Sequence, residues 1–189
     1  MTAVLSHPAF RDFIALASLS IVAYAARYAL LDETAFQSPL TESFMQRPWA
    51  IGLHAATGAL GLLLCLGQMS RTLRAKRPDI HRWVGRITVP VAVTSGAAGL
   101  LLAVYSYGGW ITHMGFGGLG VLTIACPILG WAAMRRKDVK THRAWMLRTF
   151  LLLFAAVTLR IELPLLAAIF EGQFRPAYQI VSWLCWVPN

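Results

Sequence analysis

The pattern His-x-x-x-Gly-x-Leu-Gly-x-Leu occurs twice in this chain, first as His54-Ala-Ala-Thr-Gly58-Ala-Leu60-Gly61-Leu-Leu63 and then as His113-Met-Gly-Phe-Gly117-Gly-Leu119-Gly120-Val-Leu122. A second pair of matching stretches follows these two. It consists of His81-Arg82-Trp83 with Arg86, and of His142-Arg143-Ala-Trp145 with Arg148. The sequence therefore contains the same unit twice: an apolar segment, a basic loop and a second apolar segment that begins with His-Arg. A repeat of this size indicates a repeated structural element.

The composition places the chain in a membrane. Of its 189 residues, 57% are hydrophobic and only 13% are charged, and the mean hydropathy is +0.58. Soluble domains carry about 25% charged residues. A chain with so few charged residues cannot present enough polar surface to water. We therefore expect an all-α integral membrane protein.

The net charge of +9 comes from clusters of basic residues beside apolar segments. Six of the 17 Lys and Arg residues lie at positions 71, 74, 76, 77, 82 and 86, and six more at 135, 136, 137, 140, 143 and 148. Cytoplasmic loops of membrane proteins are basic in this way. We expect these loops to face the anionic head groups of the lipid bilayer, and we do not expect nucleic acid as a partner.

The apolar segments predict a single transmembrane domain over residues 1–189. Its helices are expected at 13–31, 49–69, 80–105, 110–134, 142–168 and 176–188. A crossing needs about 20 apolar residues, and the last segment is short, so the chain has five or six transmembrane helices. Two tandem helical hairpins form a four-helix core. The loop at 32–48 nearly lacks positive charge, which places it outside and the N-terminus in the cytoplasm. Asp79 is the expected N-cap of the third helix.

Four of the five histidines occupy matched places in the repeat. His54 and His113 lie in helices that enter from outside, so both belong to the outer half of the membrane. His81 and His142 open helices that enter from inside, so they share a level near the inner face. Ionisable groups at such depths tend to be functional, and side chains on facing helices of a bundle often hold a cofactor.

Haem b bound between two imidazoles would account for this arrangement, because it needs one histidine from each of two helices and an apolar slot. Glycines four residues after His54 and His113 lie on the same helix face as those histidines and would leave room for the porphyrin. These are Gly58 and Gly117, and Gly61 and Gly120 extend the bare strip. We predict one haem at the outer pair and a second haem, if one binds, at the inner pair, with electron transfer across or within the bilayer.

Arg160 is expected near the outer surface. At about 1.5 Å per residue it lies about 27 Å along its helix from His142, at the level of His54 and His113. A buried Arg needs a partner. A haem propionate, a quinone-like substrate, Asp32 or Glu33 of the outer loop, or a lipid phosphate could serve.

Two resemblances accompany these residues. His81-Arg82-Trp83-x-Gly85-Arg86 and His142-Arg143-x-Trp145-Met146-x-Arg148 resemble the HRxxGR and HRxWMxR motifs of an uncharacterised family of small predicted bacterial membrane proteins. This likeness covers about residues 50–160; it implies a bacterial inner membrane and no particular activity. More distantly, the four histidines resemble the ascorbate-reducible di-haem cytochromes b, which pair the first with the third and the second with the fourth. The inner pair departs from that type, because His81 and His142 each lie at the start of a helix and are followed directly by Arg.

Other functions remain open. Glycines at this spacing also serve close helix packing, with His54 and His113 bonding across an interface, and the inner pair could contact head groups or cap helices. The chain would then be a cofactor-free accessory subunit of a larger membrane complex, or a small lipid-binding or transport protein. If haem is bound, a quinone or another small redox molecule could be the substrate of a membrane oxidoreductase.

Overall fold

The computed structural model describes residues 8–29 and 40–189, and every regular element in these ranges is a helix. Asp32, Glu33 and the end of the predicted 13–31 helix lie outside the described residues. The helices are α1 (Pro8–Ala29), α2 (Leu40–Met45), α3 (Pro48–Met69), α4 (Arg71–Lys76), α5 (Pro78–Ala103), α6 (Trp110–Arg135), α7 (Val139–Ile169) and α8 (Phe174–Leu184). The prediction of an all-α membrane protein is confirmed.

Four helices, α3, α5, α6 and α7, are long and apolar enough to cross a membrane. The eleven residues of α8 rise only about 16 Å, which is too short for the hydrocarbon core. The predicted last segment at 176–188 thus packs against α7 and α6 and is not among the helices long and apolar enough to cross.

The four long helices form the core. Helix α3 packs against α5, α5 against α6 and α6 against α7, while contacts between α3 and α7 close the set. Helix α1 lies along α3 and also contacts α7, and α8 packs on α7 and α6. The two hairpins predicted from the repeat are thus α3 with α5 and α6 with α7.

The N-cap predicted for the third helix is wrong. Helix α5 begins at Pro78, whose missing N–H costs nothing in the first turn. Arg77 occupies the cap position and makes no side-chain cap hydrogen bond. Asp79 lies inside the first turn, where its carboxylate pairs with the Arg77 guanidinium at 3.2 Å.

Glycines of the repeat allow the helices to approach closely. A Cβ on Gly120 would lie 3.0 Å from Leu100 Cβ and 3.1 Å from its Cα, and one on Gly61 would lie 3.2 Å from Leu153 Cδ1. Both glycines are buried. They therefore pack inside this chain, against α5 and α7, and do not form an open docking face.

Candidate ligand cavity

A cavity of about 590 Å³ lies between α1, α3, α5, α6 and α7. Pockets that hold drug-sized ligands have volumes of about 300–1,000 Å³. Most of the wall is apolar, with aliphatic or aromatic side chains from each of these helices and from α2 and α8. The polar side chains on it are Ser20, Tyr24, His54, Ser95, Ser106, Thr123, Arg160 and Tyr178. The interior therefore suits an apolar molecule with few polar groups.

His54 is held on this wall by a hydrogen bond to α5. Its Nδ1 lies 2.9 Å from the carbonyl oxygen of Ser95. Because a carbonyl can only accept, Nδ1 carries the proton and a neutral ring keeps its lone pair on Nε2. Histidines that ligate a metal usually have this second hydrogen bond, which fixes the tautomer and the ring orientation. The Nε2 atom of His54 can therefore give its lone pair to a metal ion.

Two glycines make room for the His54 ring and its partner. A Cβ on Gly99 would lie 2.9 Å from His54 Cε1, so α5 can accept the imidazole only without a side chain there. A Cβ on Gly58 would lie 3.2 Å from Ser95 Oγ. Of the four glycines in the predicted strip, Gly58 and Gly120 line the cavity, and Gly61 and Gly117 do not.

Arg160 lies on the same wall, close enough to His54 for its charge to act on the imidazole. One guanidinium nitrogen, Nη1, donates to the Ala156 carbonyl at 2.8 Å, and the guanidinium carbon is 5.6 Å from the centre of the Tyr24 ring. Arg160 thus lies at the level of His54, as the rise of the helix predicted. Glu162 does not line the cavity, and within the described residues its buried Oε2 has no hydrogen-bond partner.

His113 lies beside the cavity and not on its wall. It lies on the face of α6 that carries the lining residues Phe116, Gly120 and Thr123, about one turn nearer the start of the helix than Phe116. Its Nε2 is 3.0 Å from the Ser106 carbonyl and so carries the ring proton of the neutral form. The structure therefore does not bring His54 and His113 together around one point.

The other histidine pair lies at the opposite end of the core. His81 and His142 are close enough to interact electrostatically, as their common level predicted. The Nδ1 of His142 is 2.8 Å from the Gly130 carbonyl. The Nδ1 of His81 is buried and has no hydrogen-bond partner in the described part of the chain. Neither residue lines the cavity, and the prediction of an inner haem between them stays a prediction.

The described residues bring no three His, Cys, Asp or Glu side chains together as ligands for a bare metal ion. Haem iron places a smaller demand on the protein, because the porphyrin supplies four nitrogens and the protein supplies only the axial ligands.

The profile of a family described as predicted membrane protein (DUF2306) matches residues 51–189. The chain belongs to this family. No curated protein and no solved structure matches the chain. The DUF2306 match includes the cavity residues His54 and Arg160, whereas Tyr24 of α1 precedes it.

Three cavity residues of this DUF2306 protein were not predicted from the sequence: Ser95, Gly99 and Tyr24. Ser95-Gly96-x-x-Gly99 in α5 places three small residues within about one helical turn, a spacing that favours close helix contacts in membranes. That signal could have pointed to the face opposite His54. Nothing in the pattern around Tyr24 distinguishes it from an interfacial aromatic residue.

Proposed function

We propose that this protein is a membrane cytochrome of the b type, with haem in the cavity and His54 as an axial ligand. The observation that carries the proposal is His54 itself, which lies on the wall of a large apolar cavity with its Nδ1 hydrogen-bonded to the Ser95 carbonyl. When bound, haem would supply one-electron transfer.

Other side chains of the cavity suit the same group. Haem combines an apolar macrocycle with two carboxylates, and the wall combines apolar residues with one guanidinium. Arg160 would bind a propionate, since guanidinium groups pair well with carboxylates. Gly58 and Gly120 belong to the same wall, where each lets α5 pack closely, since a Cβ would lie 3.2 Å from Ser95 Oγ and 3.0 Å from Leu100 Cβ respectively.

His113 would be the second residue to hold the haem iron in this proposal, as the likeness to the ascorbate-reducible cytochromes b suggests. Its Nε2 is engaged with the Ser106 carbonyl, so ligation requires that hydrogen bond to break and the side chain to rotate towards the cavity. Its position one turn from Phe116 on the cavity face of α6 supports this role.

A quinone or another small redox molecule would exchange electrons with the haem from the side of the cavity near Arg160. In this proposal the protein resides in the bacterial inner membrane with its N-terminus in the cytoplasm. The basic residues that flank the long helices support that orientation.

A visible spectrum of the full-length protein, purified from haem-replete cells, tests the proposal. We expect Soret and α-bands in the reduced state, and we expect His54→Ala to remove most of their intensity. His142→Ala removes an imidazole at the other end of the core that is also bonded to a carbonyl through Nδ1, so it reports separately on the predicted inner haem. A colourless preparation, or equal bands in the wild type and in His54→Ala, overturns the proposal.

A second function is favoured by the mixed character of the cavity wall. Arg160 and Tyr24 face a mostly apolar space, which suits a lipid-like molecule with an acidic head group, and the protein would then bind or transport a lipid. Native mass spectrometry of a colourless preparation would identify such a molecule by its added mass. A spectrum with haem bands that depend on His54 would exclude this alternative.

A further inference from the structure

Six basic side chains converge at the end of the core opposite the cavity, and we call them the basic cluster: Arg71, Arg74, His81, Arg82, His142 and Arg143. They come from α4, α5 and α7. Arg74 interacts electrostatically with Arg143 and Arg71, and His81 interacts with Arg74, His142 and Arg82. The repeated His-Arg pair of the sequence supplies four of the six.

The acidic residues nearby are already engaged. Asp79 and Asp138 are the only acids between residues 70 and 148. The carboxylate of Asp79 pairs with Arg77, and Asp138 Oδ1 accepts the N–H of Thr141 at 3.0 Å. Within the described residues, no member of the basic cluster forms an ion pair with a carboxylate. The mutual repulsion of its guanidinium groups is thus not compensated by the chain.

Hydrogen bonds hold two members of the basic cluster, Arg74 and His81, at the end of α3. Arg74 Nη1 donates to the Gln68 carbonyl at 2.9 Å, and Gln68 Nε2 donates to the His81 carbonyl at 3.1 Å. These bonds join the end of α3 to α4 and to the start of α5. Burial first, and then the charges of Arg143 and Arg71, lower the pKa of Arg74. An anion bound here would relieve that repulsion.

Aromatic residues place the basic cluster at the membrane interface. The Arg86 guanidinium lies 5.0 Å from the centre of the Trp83 ring, and the Arg148 guanidinium lies 4.6 Å from that of Trp145. Trp83 is 65% exposed. Tryptophan is enriched at the head-group level of membranes. The repeat thus builds two Trp–Arg pairs at the level where lipid phosphates lie.

We propose that the basic cluster binds the phosphoryl head group of an anionic phospholipid. The fit rests on three features: convergent guanidinium donors, the lack of a carboxylate partner among the described residues, and the position beside exposed aromatic and apolar helix faces along which acyl chains can lie. Basic pockets between transmembrane helices are suited to such head groups. This site shares no lining residue with the cavity, so it does not depend on the proposed function.

The test uses the full-length protein, purified in detergent and stripped of lipid. It is titrated with phosphatidylglycerol and with phosphatidylcholine of the same acyl chains, and bound lipid is counted by native mass spectrometry. We expect a clear preference for phosphatidylglycerol. Arg74→Gln and Arg143→Gln should each weaken phosphatidylglycerol binding about fivefold, the effect of one charge near a lipid surface, while phosphatidylcholine binding stays unchanged.

Lys140→Gln is the matched control, because it removes the same charge from an exposed position at the start of α7 outside the basic cluster. It should change binding less than twofold. An equal loss in all three variants would mean diffuse attraction and overturn the site. Inorganic phosphate that binds as tightly as the lipid, and is lost in Arg74→Gln, would overturn the assignment to a lipid. Arg74 lies in α4 and Arg143 in α7, so if one of these two variants misfolds, the other still tests the site.

Discussion

At the scale of single residues, Gly99 decides whether His54 can take its place. A Cβ at this position would lie 2.9 Å from His54 Cε1 and 3.0 Å from Nδ1. Gly99→Ala should therefore displace the imidazole, weaken its bond to Ser95 and destabilise the protein by about 1–3 kcal/mol, as overpacking does. The melting temperature in detergent micelles measures this effect.

Gly67 provides the control for that substitution. It lies in α3 and is exposed, and a Cβ added to it would meet no atom within 4 Å. Alanine there should leave the melting temperature unchanged or raise it, since alanine favours helix over glycine by about 1 kcal/mol. Equal melting temperatures for Gly99→Ala and the wild type would show that the His54 ring tolerates the methyl group.

The sequence predicted some of these residues and missed others for identifiable reasons. Arg160 could be placed beside His54 because the rise of a helix is constant. The hydrogen bond of His113 to Ser106 could not be predicted, because Ser106 belongs to the short connection before α6 and its carbonyl direction depends on local backbone geometry. Periodicity fixes the level of a side chain but not its rotamer.

At the scale of the helix, α7 begins at a capped end. Asp138 accepts the N–H of Thr141 at 3.0 Å and so satisfies one of the free donors of the first turn. The Thr141 side chain, followed by the Thr141 N–H, lowers the pKa of Asp138 from its ordinary value of about 3.9. The cap is therefore a charged acceptor at neutral pH.

The capping of α7 has a defined dependence on pH. Because the folded pKa is lowered, the ionised carboxylate stabilises the fold fully above the unfolded pKa, and the effect is lost as the pH falls through the folded pKa. Asp138→Asn keeps an acceptor without the charge. We expect it to melt below the wild type at pH 7, with the difference closing below about pH 4. A difference that is constant with pH would contradict the role of the charge.

The cap also explains why the start predicted for this helix lies three residues after its start in the structure. The predicted 142–168 helix begins in the structure at Val139 and ends at Ile169. Apolar periodicity locates the part of a helix that lies in the membrane, whereas the first turn of α7 is polar and forms because Asp138 caps it. The shortness of α8 was visible in the sequence, since the apolar stretch at 176–188 is too short to cross.

At the scale of the whole molecule, the two halves of the repeated sequence serve opposite ends of the helical core. The apolar half of the repeat contributes His54 and Gly58 to the cavity, while the His-Arg half contributes to the basic cluster at the other end. The four-helix core followed from the repeat. The cavity did not, because its volume depends on how α1 packs against α3 and α7, and α1 lies outside the repeat.

The orientation of the molecule in the membrane is the last prediction. The native cysteines, Cys65, Cys126 and Cys185, are all buried, so single exposed cysteines can report on each side. We expect Thr72→Cys, in the basic loop, to react with a membrane-impermeant maleimide only after the cells are permeabilised, because basic loops stay in the cytoplasm. Val104→Cys, 58% exposed at the end opposite the basic loops, should react in intact spheroplasts. The reverse pattern would invert the topology and place the basic cluster against the outer leaflet, and labelling of both sites from one side would contradict a membrane-spanning α5.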